Sequence, residues 1–190
     1  MTTALRLAFI FWMVCPFLYF MTAGANTFTV PKLRDSGAVL GQFSFVSGMA
    51  CVLVMGLYYG LWVPAAVCGA ILALGSLMLY EWTRRTVIDR NFYVGLSGEV
   101  PGAVCDAGSY HYVRHPFYLS YMAAFVAVAV AFPSLIVSGV CVLNIGLFVY
   151  MAFDDQRVLL RSAIAADYGN YKVRVGMFVP RFAAKRSQAK

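Results

Sequence analysis

The sequence predicts an all-α integral membrane protein that forms a single domain of about five transmembrane helices. Of its 190 residues, 62% are hydrophobic and only 12% are charged, whereas a soluble domain of this length carries about twice as much charge. The mean hydropathy is +0.74, and apolar runs near the ~20 residues that span a bilayer recur along the chain. The net charge is +7. On a membrane protein, an excess of basic residues is typical of cytoplasmic loops and of surfaces that contact anionic lipid, so no nucleic-acid partner is expected.

Turns and charged residues divide the apolar sequence into helices. A break near Gly60 separates the second helix from the third, and Pro133 with Ser134 forms the turn between the fourth and fifth. The expected spans are residues 5–23, 38–59, 61–82, 117–132 and 134–153. The fourth is short, so it must thin the membrane or stop at its interface. The domain then comprises helices one to three at 1–83, a polar loop at 84–116, a helical hairpin at 117–153, a C-terminal segment at 154–182 and a basic tail at 183–190.

Basic residues follow the first, third and fifth helices, which places them on one side of the membrane. They are Lys32, Arg34, Arg84, Arg85, Arg90, Arg114 and the Lys and Arg residues from Arg157 to Lys190. The positive-inside rule therefore predicts a multi-pass protein with cytoplasmic basic loops and a cytoplasmic C-terminus, with Arg6 as the exception. A cleaved signal peptide is the alternative for the first helix. Two observations favour a retained helix. The apolar run is longer than that of a normal signal peptide, and cleavage would place Lys32 and Arg34 outside the cell, against the positive-inside rule.

Two polar segments lie beside the predicted spans. Glycines and Pro101 interrupt residues 84–118, which predicts irregular backbone that a cofactor could hydrogen-bond in place of water. Residues 154–171 are predicted to form an interfacial amphipathic helix, because apolar residues recur there at helical spacing, at Leu160, Ile164, Tyr168 and Tyr171. Polar groups beside a bilayer are costly, so the Tyr, Arg and His cluster at 108–118 is interpreted as a site.

Metal and nucleophile chemistry find little support in the sequence. His111 and His115 are spaced i, i+4, but the chain has no third histidine, and Pro116 is typical of the start of a helix rather than its interior. No metal is expected. The five cysteines form no CxxC pair, and neither a GxSxG motif nor a dinucleotide fingerprint occurs. A membrane reductase is therefore the weakest alternative.

Two stretches of the sequence resemble a known superfamily. Tyr110-His-Tyr-Val-Arg-His-Pro-Phe-Tyr118, preceded by Gly108, resembles the central motif of the integral-membrane methyltransferases. That superfamily includes isoprenylcysteine carboxyl methyltransferases and phospholipid methyltransferases. Its closing motif resembles the segment that contains Tyr168-Gly-Asn-Tyr171, Arg174 and Val179-Pro-Arg-Phe182. The likeness covers about half of the chain, from residue 102 to residue 182.

The resemblance implies a cytoplasmic pocket for S-adenosylmethionine, formed by the segment before helix four and the C-terminal helix. The carboxylate of this cofactor suits donors such as Arg114 and His115. Its sulfonium suits an aromatic face such as that of Tyr110 or Tyr118. The full set of residues that would bind the cofactor is Val104, Cys105, Tyr110, Arg114, His115, Pro116, Phe117, Tyr118 and Gln156.

The acceptor half of the site departs from the family pattern. The family's Glu-Glu pair, counted back without gaps from Tyr168, falls on Gln156 and Arg157, while Asp154 and Asp155 lie two residues earlier. Asp155 and Arg157 are the expected catalytic residues. The expected function is methylation of a lipophilic small molecule or lipidated substrate, at a carboxylate oxygen, an amine nitrogen or a thiol sulfur. The alternative is a non-catalytic membrane protein of the same fold that binds a lipid, heme or a protein partner.

Overall fold

The computed structural model describes residues 2–27, 36–89 and 103–181. Within these ranges it contains six α-helices, one short 3-10 helix and no β-strand, which confirms the all-α prediction for the described part of the chain. The helices are α1 (Thr3–Thr27), α2 (Ser36–Tyr58), α3 (Val63–Asp89), α4 (Pro116–Ala131), α5 (Leu135–Leu159) and α6 (Ala165–Arg174), and the 3-10 helix is Gly108–His111. The predicted basic tail at 183–190, and Lys32, Arg34 and Arg90, lie outside the described residues.

Four of the described helices are long and apolar enough to cross a membrane. These segments are Thr3–Gly24, Val39–Tyr58, Val63–Ile88 and Leu135–Leu159. The apolar helix α4 has only 16 residues, or about 24 Å at a rise of ~1.5 Å per residue. The expectation of about five spans therefore becomes four candidate spans and one short apolar helix, and the prediction that the fourth helix is short is confirmed.

Helices that follow one another along the chain run in opposite directions. Arg6 near the start of α1 donates a 2.6 Å hydrogen bond to the carbonyl of Tyr59, just after α2. The Ser76 hydroxyl in α3 donates to the carbonyl of Ser120 in α4 at 3.0 Å. The ends of α1, α3 and α5 and the start of α4 consequently lie at one end of the bundle. We call this the polar end, because Arg84, Arg85, Arg114 and Arg157 lie there.

An aromatic core joins α3, α4 and α5 near the polar end. Tyr80 in α3 is fully buried, and its ring centroid lies 5.1 Å from that of Phe117 in α4. Tyr121, one turn further along α4, lies 5.2 Å from Phe148 in α5. Edge-to-face and tilted aromatic pairs of this kind add to the free energy gained from burial. They fix the start of α4, which carries the candidate site, against its neighbours.

The third helix extends further than the sequence predicts. The charge of residues 84–89 favours an irregular loop, but α3 continues to Asp89. The Glu81 carboxylate accepts hydrogen bonds from Arg84 and Arg85, both at 2.7 Å. These i, i+3 and i, i+4 pairs stabilise the last turns of a helix.

The prediction of a single helix over residues 154–171 is wrong. Helix α5 continues through Asp154 and Asp155 to Leu159, and α6 starts only at Ala165. Between them the chain turns, and the Ser162 hydroxyl donates a 2.7 Å hydrogen bond to the carbonyl of Leu159. Such local side-chain bonds compete with helix continuation. The acidic pair therefore lies within the last turns of α5 rather than at the start of a new helix.

Candidate functional site

Arg114 lies at the centre of the polar end, between the 3-10 helix and α4. Its side chain is almost completely buried, with 7% of the residue exposed. Nη1 of the guanidinium donates a 2.7 Å hydrogen bond to Oε1 of Gln156 in α5. Its backbone N–H donates to the carbonyl of Gly176 at 2.9 Å. Arg114 thus contacts both the end of α5 and the segment after α6.

The 3-10 helix that precedes Arg114 is fixed to α3 by two features. Gly108 adopts a φ of +55°, and a Cβ at this position would clash with the side chain of Thr86. Only glycine adopts this left-handed conformation without cost. The next residue, Ser109, shares a buried 2.9 Å hydrogen bond with the hydroxyl of Thr83. The backbone that leads to Arg114 is therefore fixed before the site begins.

The segment before α4 pairs with the segment after α6. Val113 and Gly176 form a parallel β-bridge, and the backbone N–H of His115 donates to the carbonyl of Met177 at 3.3 Å. A Cβ at Gly176 would overlap the backbone carbonyl of Val179, so the chain at this turn has room only for glycine. The two stretches that carry the sequence motifs are consequently in direct contact.

Two tyrosines of α6 complete this arrangement. The hydroxyl of Tyr171 donates a 2.6 Å hydrogen bond to the carbonyl of Tyr110. Burial raises the pKa of the Tyr168 hydroxyl, and the nearby Arg114 charge offsets part of that rise. Both rings are buried and pack with Val175 and Val104. Helix α6 therefore covers the loop side of the site with one aromatic face.

His115 is the N-cap residue of α4, and Pro116 follows it in the first turn, as predicted. Burial, with a smaller contribution from the positive charge of Arg114, lowers the pKa of His115 to about 3. The imidazole is therefore neutral at physiological pH. Its ring stacks on that of Tyr118, with centroids 5.7 Å apart, and also contacts Phe178 at 6.0 Å.

Three buried polar atoms in this region have no hydrogen-bond partner among the described residues. They are Nε of Arg114, Nε2 of His115 and the hydroxyl oxygen of Tyr168. Buried polar groups in folded proteins are paired in the large majority of cases, so each exception calls for an explanation. The Arg114 N–H and the Tyr168 hydroxyl can both donate hydrogen bonds beside one buried positive charge, which suits an anionic group.

The two predicted catalytic residues have different environments. Asp155 is half-buried, and its Oδ2 accepts a 2.9 Å hydrogen bond from the hydroxyl of Tyr118. Arg157 is exposed, with 65% of its side chain accessible, and lies 4.0 Å from Asp154. The structure therefore places Asp155 beside the Arg114 and His115 cluster, whereas Arg157 points to an outer, solvent-accessible surface.

Most of the other predicted site residues lie at or near this cluster. Cys105 and Phe117 are buried in the main core, where the Phe117 ring contacts that of Tyr80. Val104 packs against the α6 tyrosines. The prediction did not include Tyr168, Tyr171 and Gly176 as site residues. The Tyr-x-x-Tyr spacing was the available signal for the two tyrosines, whereas the role of Gly176 depends on a turn that no spacing reveals.

Within the described ranges, no three His, Cys, Asp or Glu residues are grouped so that they could hold a metal ion. The described structure defines a class: an all-helical protein with four helices able to cross a membrane and a buried arginine among polar side chains at one end. Comparison with known proteins finds no matching family model, no matching curated protein and no matching solved structure.

Proposed function

We propose that this protein is a membrane-embedded methyltransferase that uses S-adenosylmethionine and acts on a lipophilic substrate. The observation that carries the proposal is the buried guanidinium of Arg114, whose bonded partner Gln156 is neutral and whose Nε has no partner among the described residues. A buried charge is costly unless it is paired and hydrogen-bonded. A ligand carboxylate would supply both the charge and the acceptor atoms.

The residues around Arg114 fit the remainder of this cofactor. The rings of His115 and Tyr118 stack with their centroids 5.7 Å apart, and aromatic faces attract a cation such as a sulfonium. Because His115 is neutral, it adds no repulsive charge to that cation. The irregular backbone at residues 103–107 offers N–H and C=O groups for an adenine or ribose.

When bound, S-adenosylmethionine supplies an electrophilic methyl group. The protein would orient the reactants, exclude water and, where the acceptor requires it, accept a proton. Asp155 is the candidate for that last role, held by the Tyr118 hydroxyl. An amine acceptor needs such a base, whereas a carboxylate or thiolate acceptor does not. Arg157 is withdrawn from the proposed catalytic set because of its exposure.

The proposal includes an orientation in the membrane. The polar end carries most of the described arginines, and by the positive-inside rule it would face the cytoplasm together with the basic C-terminus. The cofactor would then enter from the cytoplasm. A lipophilic small molecule or a lipidated substrate would approach from the bilayer, between helices.

Methyl transfer itself is the direct test. Purified protein in nanodiscs is incubated with S-adenosylmethionine radiolabelled in its methyl group and with a membrane extract, and label is followed into lipid, protein and volatile fractions. We expect label in the lipid or protein fraction with the native protein, and none with an Asp155→Asn, His115→Ala double variant. Equal labelling by both proteins would contradict the proposal.

A binding protein of the same fold is the second candidate, and the Arg114–Gln156 pair favours it. By the family pattern this position of α5 carries a carboxylate, whereas here a neutral amide holds the arginine. A protein that has kept the residues for S-adenosylmethionine and lost the family's acidic pair would bind this cofactor without transferring its methyl group. Saturable binding of S-adenosylmethionine without labelling of any fraction would select this alternative.

A further inference from the structure

A long groove lies on the outer surface of the bundle between α1 and α3. Its volume is about 880 Å³, and its walls are largely apolar. Phe11 and Met78 on its walls are well exposed, at 69% and 65%. Cys15 also lines the groove and is half-buried. Apolar walls on a helix surface that faces lipid are ordinary, so the polar residues of the groove determine what it can hold.

The polar lining of the groove is confined to one end. Tyr19, Glu81 and Arg85 lie where α1 and α3 approach the polar end of the bundle. The Glu81 carboxylate accepts four hydrogen bonds, one from the Tyr19 hydroxyl and three from Arg84 and Arg85. Two guanidinium groups share this one carboxylate, which leaves one net positive charge. The Arg85 side chain is 72% exposed, so that charge is accessible.

The length of the groove matches one leaflet of a bilayer. Along α1 it extends from Phe11 to Thr22 and along α3 from Leu77 to Arg85, which are ~17 Å and ~12 Å at a rise of about 1.5 Å per residue. The hydrocarbon core of a bilayer is about 30 Å thick, so one leaflet accounts for about 15 Å. A transmembrane helix of a partner protein would need a groove of about twice this length. An acyl chain that ends near the midplane fits it.

We propose that this groove binds an anionic phospholipid of the bilayer, with an acyl chain against Cys15 and Met78 and the phosphate at Arg85. The site goes beyond the proposed function, because none of the residues that line the groove belongs to the site around Arg114. Tyr80 contacts both regions: its ring is 5.6 Å from that of Tyr19 in the groove and 5.1 Å from that of Phe117. A lipid held here would stabilise the contact between α1 and α3, on which the aromatic core rests.

Tryptophan fluorescence can report occupancy of the groove directly. The chain contains three tryptophans, and two of them, Trp12 and Trp82, line the groove. A Trp62→Phe background therefore leaves only groove reporters. The protein is placed in phosphatidylcholine nanodiscs that contain increasing fractions of phosphatidylglycerol with brominated acyl chains. We expect quenching that saturates at a low fraction of brominated lipid, as for one preferred site.

Two variants in the same background separate a site from general attraction. Arg85→Glu should raise the fraction of phosphatidylglycerol at half-quenching by about five-fold or more, since each arginine near the surface adds ~1 kcal/mol of attraction to anionic lipid. Arg161→Glu, at an exposed arginine in the turn after α5, should leave it unchanged. Equal effects of the two reversals, or quenching that rises in proportion to the brominated fraction, would overturn the proposal.

A third variant tests the acyl-chain part of the groove without altering the Glu81 cluster. Cys15→Phe fills the apolar floor, and we expect it to abolish the saturable component of quenching while the oligomeric state stays the same. Full retention of saturable quenching would contradict the acyl-chain assignment. A change from dimer to monomer with this variant would show instead that a second copy of the chain covers the groove. None of these measurements involves S-adenosylmethionine, so they fail or succeed independently of the proposed activity.

Discussion

Nη1 of Arg114 and Oε1 of Gln156 form a 2.7 Å hydrogen bond between two buried residues that are 42 positions apart in the chain. The bond ties the end of α5 to the residue that precedes the cap of α4. The amide of Gln156 also donates a weaker bond of 3.4 Å to the carbonyl of Ala152. Gln156 therefore holds the guanidinium in place without neutralising its charge.

Replacement of Gln156 by leucine should destabilise the fold. The substitution keeps the approximate size of the side chain but leaves Arg114 without its acceptor. An unsatisfied buried polar group costs about 1–3 kcal/mol, and a charged group costs more. Thermal unfolding in detergent, followed by intrinsic fluorescence, measures the change. Gln42→Leu is the matched control, because Gln42 is exposed on α2 and its replacement should cause no loss. Equal destabilisation by the two variants would rule out the structural role given to Gln156.

Stability should fall in acid because of His115. The folded-state pKa of this residue is lowered to about 3 from 6.5, mainly by burial. Between these pH values the unfolded chain binds a proton that the folded protein does not, so stability decreases as the pH falls, by ~1.4 kcal/mol per pH unit. The stabilising effect is fully present above pH 6.5.

The two histidines of the chain provide the comparison for this acid dependence. His115→Gln removes the buried titrating group and should flatten the decline in unfolding free energy below pH 6.5. His111→Gln removes an exposed imidazole and should leave the decline unchanged. Denaturant unfolding at a series of pH values measures both slopes. The same acid slope in native protein and His115→Gln would show that His115 does not determine it.

Gly108 and Gly176 should not tolerate alanine. At Gly108 the φ of +55° and the contact with Thr86 both oppose a Cβ, and strain of this kind costs about 1–3 kcal/mol. At Gly176 the Cβ would meet the backbone carbonyl of Val179, which cannot move like a side chain. Gly146→Ala on α5 is the control, since a Cβ added there would have no neighbouring atom within 4 Å. We expect a lower unfolding temperature for the first two variants and no decrease for the third.

Asp155 and Arg157 should differ in their effect on methyl transfer. If the acceptor is an amine, Asp155→Asn should reduce kcat by a factor of about 10²–10⁴, the usual contribution of a general base, with little change in affinity for the cofactor. Tyr118→Phe should reduce kcat less, because it removes only the bond that orients the carboxylate. Arg157→Ala should retain nearly full activity, since its side chain is 65% exposed. A loss with Arg157→Ala comparable to that with Asp155→Asn would return Arg157 to the site.

The sequence predicts the helices well where apolar length alone determines them. The start of α4 at Pro116 and its short length follow from the proline and from the turn at Pro133. The ends of α3 and α5 do not follow from the sequence, because a run of charged residues is equally consistent with a loop and with the exposed face of a helix. At Glu81 the charged residues pair along the helix and extend it.

The site itself is partly visible in the sequence. The motif from Gly108 to Tyr118 supplies Arg114, His115 and Tyr118, and the structure places them together. The role of Gln156 as the partner of Arg114 depends on how α5 packs beside α4, which spacing along the chain does not contain. The role of Gly176 is likewise not visible in the sequence. Its carbonyl accepts a hydrogen bond from the backbone N–H of Arg114 because the chain turns back towards α4 after α6.

Binding of S-adenosylhomocysteine, measured by isothermal titration calorimetry on purified protein in detergent, tests the central claim most directly. We predict saturable binding with one site per chain for the native protein, and a loss of at least about ten-fold in affinity for Arg114→Met, since one charge-assisted bond contributes ~1.5–3 kcal/mol. Arg161→Met, at an exposed arginine, should bind like the native protein. Absence of binding by the folded native protein, or equal affinity in Arg114→Met, would contradict the assignment of this site.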